Sequence, residues 1–543
     1  MTPRRVLWGL IVVSGLLRLA WAASLAPGND EAYHYLFTVH PDWSYFDHPP
    51  MLAWVEAAGV ALGGGSASVF SLRLGFIALF AGSTWLMARL TSRFYGERAG
   101  LLAAFALNVS AYHTAAAGTF ALPDGPLLFF WLLTLDCMAA ALLAPPSGRV
   151  GPWLAVGVAW GGALLSKYHA VFLPLGALVY LATDRAARGW LKRPGPYLAA
   201  LVGLAMFSPV VAWNATHGWA SFLFQGGRAL GGARFRPDAL LAALVLPALY
   251  LFPWIWWHLI RQLGPAIGRL HRRSTSLVPA SERFLLSQAV TPLGTFLAVA
   301  CTRPVLPHWT LVGFLPLFPL LGRMWDTRFA ADPAQFRRRA AVLAALPVAL
   351  ALVALAHTRA GLFQAGRAGG LGLGLVPVAQ DPTTDLYGWD QVAGELKRRG
   401  LLDRPGTFLF TPTWYHSGQL GFATRQSSTP VLCYHPWDAR SFAFWSQPEA
   451  WIGRDGILVA VNELADDSRR FDHWFSRIEP LGAFEVVRGG TPVRKVSLFR
   501  CVGQTRAFPF DDLGRTIPVK SHGSRDGSDR QVAAGAGDAR AAR

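Results

Sequence analysis

The chain has 543 residues, 52% of them hydrophobic and only 15% charged, a composition too apolar for a soluble protein of this length. Its formal charge of +18 would point, in a soluble protein, to a polyanionic partner. Most of the basic residues fall in short loops between apolar runs and no nucleic-acid-binding pattern accompanies them, so membrane insertion accounts for the charge and nucleic acid is not an expected partner.

Apolar runs occur near 6–26, 68–90, 99–116, 125–144, 152–166, 168–183, 197–213, 239–260, 284–301, 308–322 and 340–357. A helix needs roughly 20 residues to cross a bilayer, so these predict an α-helical polytopic membrane protein with about eleven transmembrane helices. The basic start and apolar run at the N-terminus have the character of a signal peptide. With ten further spans behind it, a retained first helix is the expectation. If the N-terminus is cytoplasmic, the inner loops carry twenty Lys and Arg side chains, from Arg4 to Arg339. The outer loops carry five, Lys167, Arg228, Arg234, Arg236 and Arg303. That bias sets the orientation and predicts a C-terminal part on the outer face.

The first outer loop, 27–67, has no Lys or Arg but holds Asp30, Glu31, Asp42, Asp47 and Glu56. Asn29 can cap a helix that starts at Asp30-Glu31 and continues through Tyr33, Leu36, Phe37 and His40. Pro49-Pro50 can open a second helix. Two short amphipathic helices on the membrane surface fit the loop. The membrane part is expected over 1–360. A Gly-rich linker (Ala365 to Gly374) then leads to a less apolar stretch. "YGWDQVAGELKRRG" reads as an amphipathic helix, and "GTFLF", "PVLCYH", "GILVAV" and "RKVSLFRC" read as strands, together a small α/β domain over 380–505. The tail 511–543 has a disordered composition. Cys433 and Cys501 fall in the outer part, where a disulfide is permitted.

Residues 28–54 read "GNDEAYHYLFTVHPDWSYFDHPPMLAW". Two acidic clusters, Asp30-Glu31 and Asp47-His48, flank an aromatic stretch at a water–membrane boundary. Carboxylates placed there can act as general bases, bind a metal or hold a cation. They can equally serve a helix N-terminus. Asp124 in "LPDGP" stands at the outer end of the fourth span, where an unpaired charge is costly. Lys167 in "SKYH", between two short spans, is a point charge suited to a lipid phosphate or to simple snorkelling.

"DEAYHYLF…YFDHPPMLAW" resembles the first outer loop of the C-type-fold glycosyltransferases that use polyprenyl-phosphate sugars. These include bacterial protein O-mannosyltransferase-like enzymes and the lipid A aminoarabinose and galacturonosyl transferases. The resemblance continues at "ALPDGPLLFFWLL", "LLSKYHAVFLPLG", "WNATHGWASFLFQGGR" and "LPHWTLVGFLPL", covering about 1–325. It implies an integral-membrane glycosyltransferase of the inner membrane with a periplasmic active site and C-terminal domain. The donor is a polyprenyl-phosphate sugar, the acceptor a glycolipid, glycan or protein, and transfer inverts the anomeric centre. Asp30 and Asp124 match the catalytic carboxylates. Lys167, Arg228 and His48 are implied for the donor phosphate, and Asp47 with Asp124 for a divalent metal cation that some relatives carry. Glu31, Tyr33, Tyr168 and His308 are cavity-lining candidates. The chain departs from some relatives at His48, where they have Lys, and at Gln225-Gly226, where they have Glu-His. A lipid-linked-sugar flippase or transporter and a phosphoethanolamine-type transferase are the competing readings. The first fits poorly with acids placed in outer loops rather than at the midplane. The second fits poorly with His416, His435, Asp438 and His473, which lack metal-ligand spacing.

Overall fold

The computed structural model describes residues 2–143, 149–229, 234–271, 279–365, 373–435, 438–462 and 468–510. The expected disordered tail, 511–543, and residues 366–372 of the expected linker lie outside them. Tertiary contacts divide the chain into two units, Met1–Leu25 with Pro41–Leu352, and Ala26–His40 with Val353–Arg543.

Helices in chain order are α1 (Pro3–Ala22), α2 (Asn29–Val39), α3 (Met51–Leu62), α4 (Val69–Tyr95), α5 (Glu97–Asn108), α6 (Ala111–Ala115), α7 (Asp124–Leu142), α8 (Gly151–Ser166), α9 (Phe172–Thr183) and α10 (Pro194–Thr216). They continue as α11 (Ala220–Ala229), α12 (Pro237–Val245), α13 (Pro247–Leu251), α14 (Pro253–His271), α15 (Ala280–Ala300), α16 (Leu311–Phe314), α17 (Phe318–Ala331), α18 (Pro333–Ala360), α19 (Trp389–Arg398), α20 (Trp414–Ala423) and α21 (Phe442–Trp445). Among the described residues six helices, α1, α4, α7, α10, α15 and α18, are long and apolar enough to cross a bilayer. The chain is a multi-pass membrane protein. The other five expected spans are shorter or broken. Where one span over 239–260 was expected, three helices each begin on a proline, Pro237, Pro247 and Pro253, which lacks the N–H that a continuing helix needs. The span expected over 99–116 ends at Asn108, whose carbonyl accepts a hydrogen bond from Thr114 Oγ1 at 2.6 Å, a side-chain bond that competes with the helix ladder.

Charge organises one end of the first unit. Arg4 pairs with Glu97 at 2.8 Å, Arg89 and Arg93 with Asp136 at 3.0 and 2.9 Å, Arg283 with Asp184 at 2.6 Å, and Arg98 with Asp326. The basic partners come from the loops that the charge count assigns to a single side. At the other end of α1, the fully buried Arg73 donates to the carbonyls of Ala22 and Leu25, both at 3.0 Å. A cation there complements the C-terminal end of the helix.

Helices α3 and α4 pack nearly backbone to backbone. A Cβ on Gly59 would stand 2.4 Å from the Ser71 carbonyl oxygen, and one on Gly75 would stand 2.6 Å from the Val55 carbonyl oxygen. Gly59→Val therefore has to prise the helices apart, and overpacking of this kind costs about 1–3 kcal/mol. Thermal unfolding of the detergent-solubilised variant should show a lowered midpoint; an unchanged one refutes the close approach.

The second unit carries a five-stranded sheet in the order β2-β1-β3-β5-β4, formed by β1 (Thr407–Thr411), β2 (Val431–Cys433), β3 (Asp455–Val461), β4 (Phe475–Arg488) and β5 (Thr491–Gln504). β1 is parallel to β2 and β3, and β5 is antiparallel to β3 and β4. Alternation along the strands separates two cores. Leu409, Ile457 and Val459 face α19 and α20, while Phe408, Phe410 and Leu458 join Tyr434 and Phe475. Four strands and α19 fall where the sequence puts them. The fifth, β4, is an edge strand that is mostly accessible and irregular between Pro480 and Gly482, so it lacks the apolar alternation that marks a strand. Cys433 and Cys501 are both free and buried. They sit on β2 and β5 with β1 and β3 between them, roughly 14 Å apart by strand spacing. A disulfide requires Cα atoms within about 7 Å.

Candidate active site

In the first unit, Pro123 starts α7 and Asp124 is the first helical residue. Twelve residues on, Asp136 engages the arginine pairs, so the two acids mark opposite ends of the helix, about 18 Å apart. Lys167 follows the last residue of α8 in extended backbone (φ −161°) before a short 3-10 turn, Tyr168–Val171. That turn is fixed by Trp160 Nε1 donating to the Ala170 carbonyl at 3.0 Å. The break aims the lysine at Asp124. Its Nζ donates to both carboxylate oxygens, at 2.8 and 2.9 Å, with side chains 8% and 13% exposed. Two motifs 43 residues apart thus form one nearly buried ion pair.

Around the pair, Asp124 shares a small cavity of about 20 Å³ with Tyr112, His113 and His308. The rings of Tyr112 and His308 stack at 6.2 Å. His113 Nδ1 lies 3.0 Å from Ser110 Oγ. Tyr112 and His113 were not singled out from sequence. Their signal is the polar stretch "SAYHTA", residues 110–115, interrupting an apolar run.

The segment bearing Asp47 and His48 is held by the corner between α10 and α11. Trp213 Nε1 donates to the Asp42 carboxylate at 2.8 Å, Ser221 Oγ to the Tyr45 carbonyl at 3.0 Å, and Gln225 Nε2 to the Asp47 carbonyl at 2.9 Å. Gln225, where some relatives were expected to have Glu, thus has a structural use here. Burial pushes the Tyr45 phenol up to about 12, so it stays neutral at physiological pH. Asp47 is buried (1% exposed) and His48 half-buried. Tyr168 is half-buried and packs edge-on against Phe222 at 5.7 Å. Arg228 lies in α11, with its side chain outside the described residues. No group of three His, Cys, Asp or Glu side chains able to hold a metal occurs among the described residues. Asp124 already has Lys167 as its cation.

Asp30 belongs to the second unit. Helix α2 begins one residue earlier than expected. Gly28 is the N-cap, and its N–H donates to Glu31 Oε2 at 2.8 Å. Glu31 is therefore a capping residue, buried at the helix start. Tyr33 is fully buried and bonded to Ser441, which makes it a packing residue. Asp30 itself is exposed in the first turn.

The chain superposes on ArnT from Cupriavidus metallidurans bound to undecaprenyl phosphate with a TM-score of 0.58 at 16% identity, over 91% of this chain and 97% of that one. For the apo state of that protein the values are 0.55, 17%, 92% and 98%. This is the C-type glycosyltransferase fold. Residues 47–213 match the family described as dolichyl-phosphate-mannose-protein mannosyltransferase. The lipid A galacturonosyltransferase RgtD of Rhizobium johnstonii is 31% identical over 193 residues, 35% of this chain and 38% of that protein. An undecaprenyl phosphate-alpha-4-amino-4-deoxy-L-arabinose arabinosyl transferase of Erwinia tasmaniensis is 28% identical over 158 residues, 28% of this chain and 27% of that protein. The chain's matches thus span well under half the length of either curated relative.

Proposed function

We propose that this chain is an integral-membrane glycosyltransferase that moves a sugar from a polyprenyl-phosphate donor to an acceptor on the outer face of the inner membrane. The observation that carries the reading is the nearly buried Asp124–Lys167 pair. When the acceptor oxygen bonds to the anomeric carbon, the bond from that carbon to the phosphate oxygen breaks. The electron pair leaves with the lipid phosphate, which gains a second negative charge. A preorganised ammonium beside that oxygen stabilises the developing charge. Asp124 fixes the Lys167 ammonium in place through both carboxylate oxygens. Asp30 takes the acceptor hydroxyl's proton. With an ionised phosphate as acceptor, no such proton exists and Asp30 serves to orient it. Attack opposite the leaving phosphate inverts the anomeric centre. The lipid tail runs in the bilayer, which is why the site belongs to a membrane protein. The bias of basic residues supports a periplasmic side for the C-terminal unit. The acceptor named for the galacturonosyltransferase relative, lipid A, makes a glycolipid the first acceptor to try.

The test uses purified protein in detergent with an undecaprenyl-phosphate sugar and lipid A, product mass being the readout. Transfer without a sealed membrane supports the enzyme. Mass spectrometry of envelope glycolipids identical with and without the gene, together with no transfer in vitro, would sink it. Asp30→Asn should insert normally and lose about 10²-fold or more in kcat with a hydroxyl acceptor. Full activity removes Asp30 from the chemistry.

A further inference from the structure

With Asp30 as the base proposed above, we infer that the C-terminal sheet domain holds that carboxylate in register, and that Gln419, Gly418 and Ser441 are its positioning residues. Helix α2 is buried along seven consecutive residues, Glu31–Phe37, which a surface helix with one apolar stripe does not show. Its partner within the second unit is α20, the crossover between the parallel strands β1 and β2. α20 is itself pinned to the sheet, for Ser417 Oγ donates to the Leu432 carbonyl at 2.8 Å.

The join between α2 and the rest of the second unit is specific at three points, two on α20 and one at Ser441 just before α21. Gln419, 1% exposed, donates through Nε2 to the Pro27 carbonyl at 3.1 Å and to Asn29 Oδ1 at 2.9 Å. Those bonds fix the chain just ahead of Asp30, while the Glu31 bond to the Gly28 N–H fixes it just behind. A Cβ on Gly418 would lie 2.8 Å from Tyr33 Cα, so only glycine allows this approach. The Tyr33 hydroxyl donates to Ser441 Oγ at 2.8 Å and accepts from the Ser441 N–H at 3.1 Å. Asp30 is thus an exposed side chain on a backbone set by residues some 390 positions later in sequence. A general base has to meet its proton within hydrogen-bond reach, and a displacement of about 1 Å can cost on the order of 10²-fold in rate. The sheet domain therefore tunes the chemical step.

The experiment measures kcat, donor KM and thermal midpoint for purified full-length Gln419→Ala, with the milder Ser441→Ala as a second variant. Each is made in the wild-type and the Asp30→Asn background. Expected for Gln419→Ala is a kcat lowered about tenfold or more, with donor KM within about twofold and the midpoint preserved. In the Asp30→Asn background the same substitution should cost less than about twofold, because the group being positioned is gone. An unchanged kcat in both variants overturns the inference, as does a loss equal in the two backgrounds or one that tracks the thermal midpoint. If Asp30→Asn abolishes transfer beyond detection, the split between kcat and KM decides alone. A fully active Asp30→Asn overturns the catalytic reading of Asp30 and this inference with it. Loss in Asp30→Asn with none in either Gln419→Ala or Ser441→Ala overturns the inference alone.

Discussion

Lys167→Ala should abolish measurable sugar transfer and also lower the stability of the membrane unit. Two effects add. Removing one preorganised group from a developing anion costs on the order of 10²–10³ in kcat. Removing one partner of a buried ion pair leaves the other charge uncompensated, at about 3–5 kcal/mol. Here the abandoned partner is Asp124, whose two oxygens both accept from Lys167 Nζ and whose side chain is only 13% exposed. The effects are separable. Lys167→Met with Asp124→Leu replaces the pair by apolar side chains, which is close to neutral for stability. That double variant should regain the wild-type thermal midpoint and remain inactive. Recovery of transfer along with the midpoint would make the pair a structural strut and nothing more. Asp124→Asn keeps the ammonium but loosens it, so it should be less impaired than Lys167→Ala and show its loss mainly in kcat.

How much of this was legible in the sequence depended on what each feature needs in order to be seen. Asp124 and Lys167 stood out because a charge is rare beside apolar runs, and the structure pairs them. The six long spans were legible by length. The breaks within the run over 239–260 were not, because Pro247 and Pro253 restart a helix without changing local hydropathy. The strand β4 was hidden by Pro480 and Gly482, and its edge position left it mostly accessible. Helix α2 was legible as a helix and its neighbours were not. The first outer loop, 27–67, looks like one piece of the membrane part. Its first part, Ala26–His40, nonetheless groups with the sheet unit, through a fit between Gly418 and Tyr33 that no local pattern announces. Periodicity reports what a segment buries, and only the fold reports what covers it.

Arg488→Met should destabilise the second unit more than any surface change in it. Arg488 and Asp381 are 0% and 3% exposed and are hydrogen-bonded to one another. Around them Arg488 Nε donates to Gln364 Oε1 at 3.0 Å and Nη1 to Thr383 Oγ1 at 2.8 Å, while the guanidinium lies 5.7 Å from the Tyr387 ring. His357 Nε2, near the end of α18, lies 3.2 Å from Asp381 Oδ2. The cluster thus ties the end of a membrane helix and the segment after it to the edge strand β4. Losing the guanidinium strands a buried carboxylate, which costs about 3–5 kcal/mol. Limited proteolysis should then cut the C-terminal unit at temperatures where the wild-type unit resists; equal resistance refutes the clasp. Acid should mimic the substitution. Burial alone would raise the Asp381 carboxyl, but hydrogen bonds from Thr383 and Arg488 outweigh it and bring it below its ordinary value of 3.8. A folded pKa below the unfolded one gives stability that is fully present above about pH 4 and fades as pH falls through the lower folded value. Asp381→Asn removes that titration. Its proteolytic resistance should start lower than the wild type's and change less between pH 5 and pH 3.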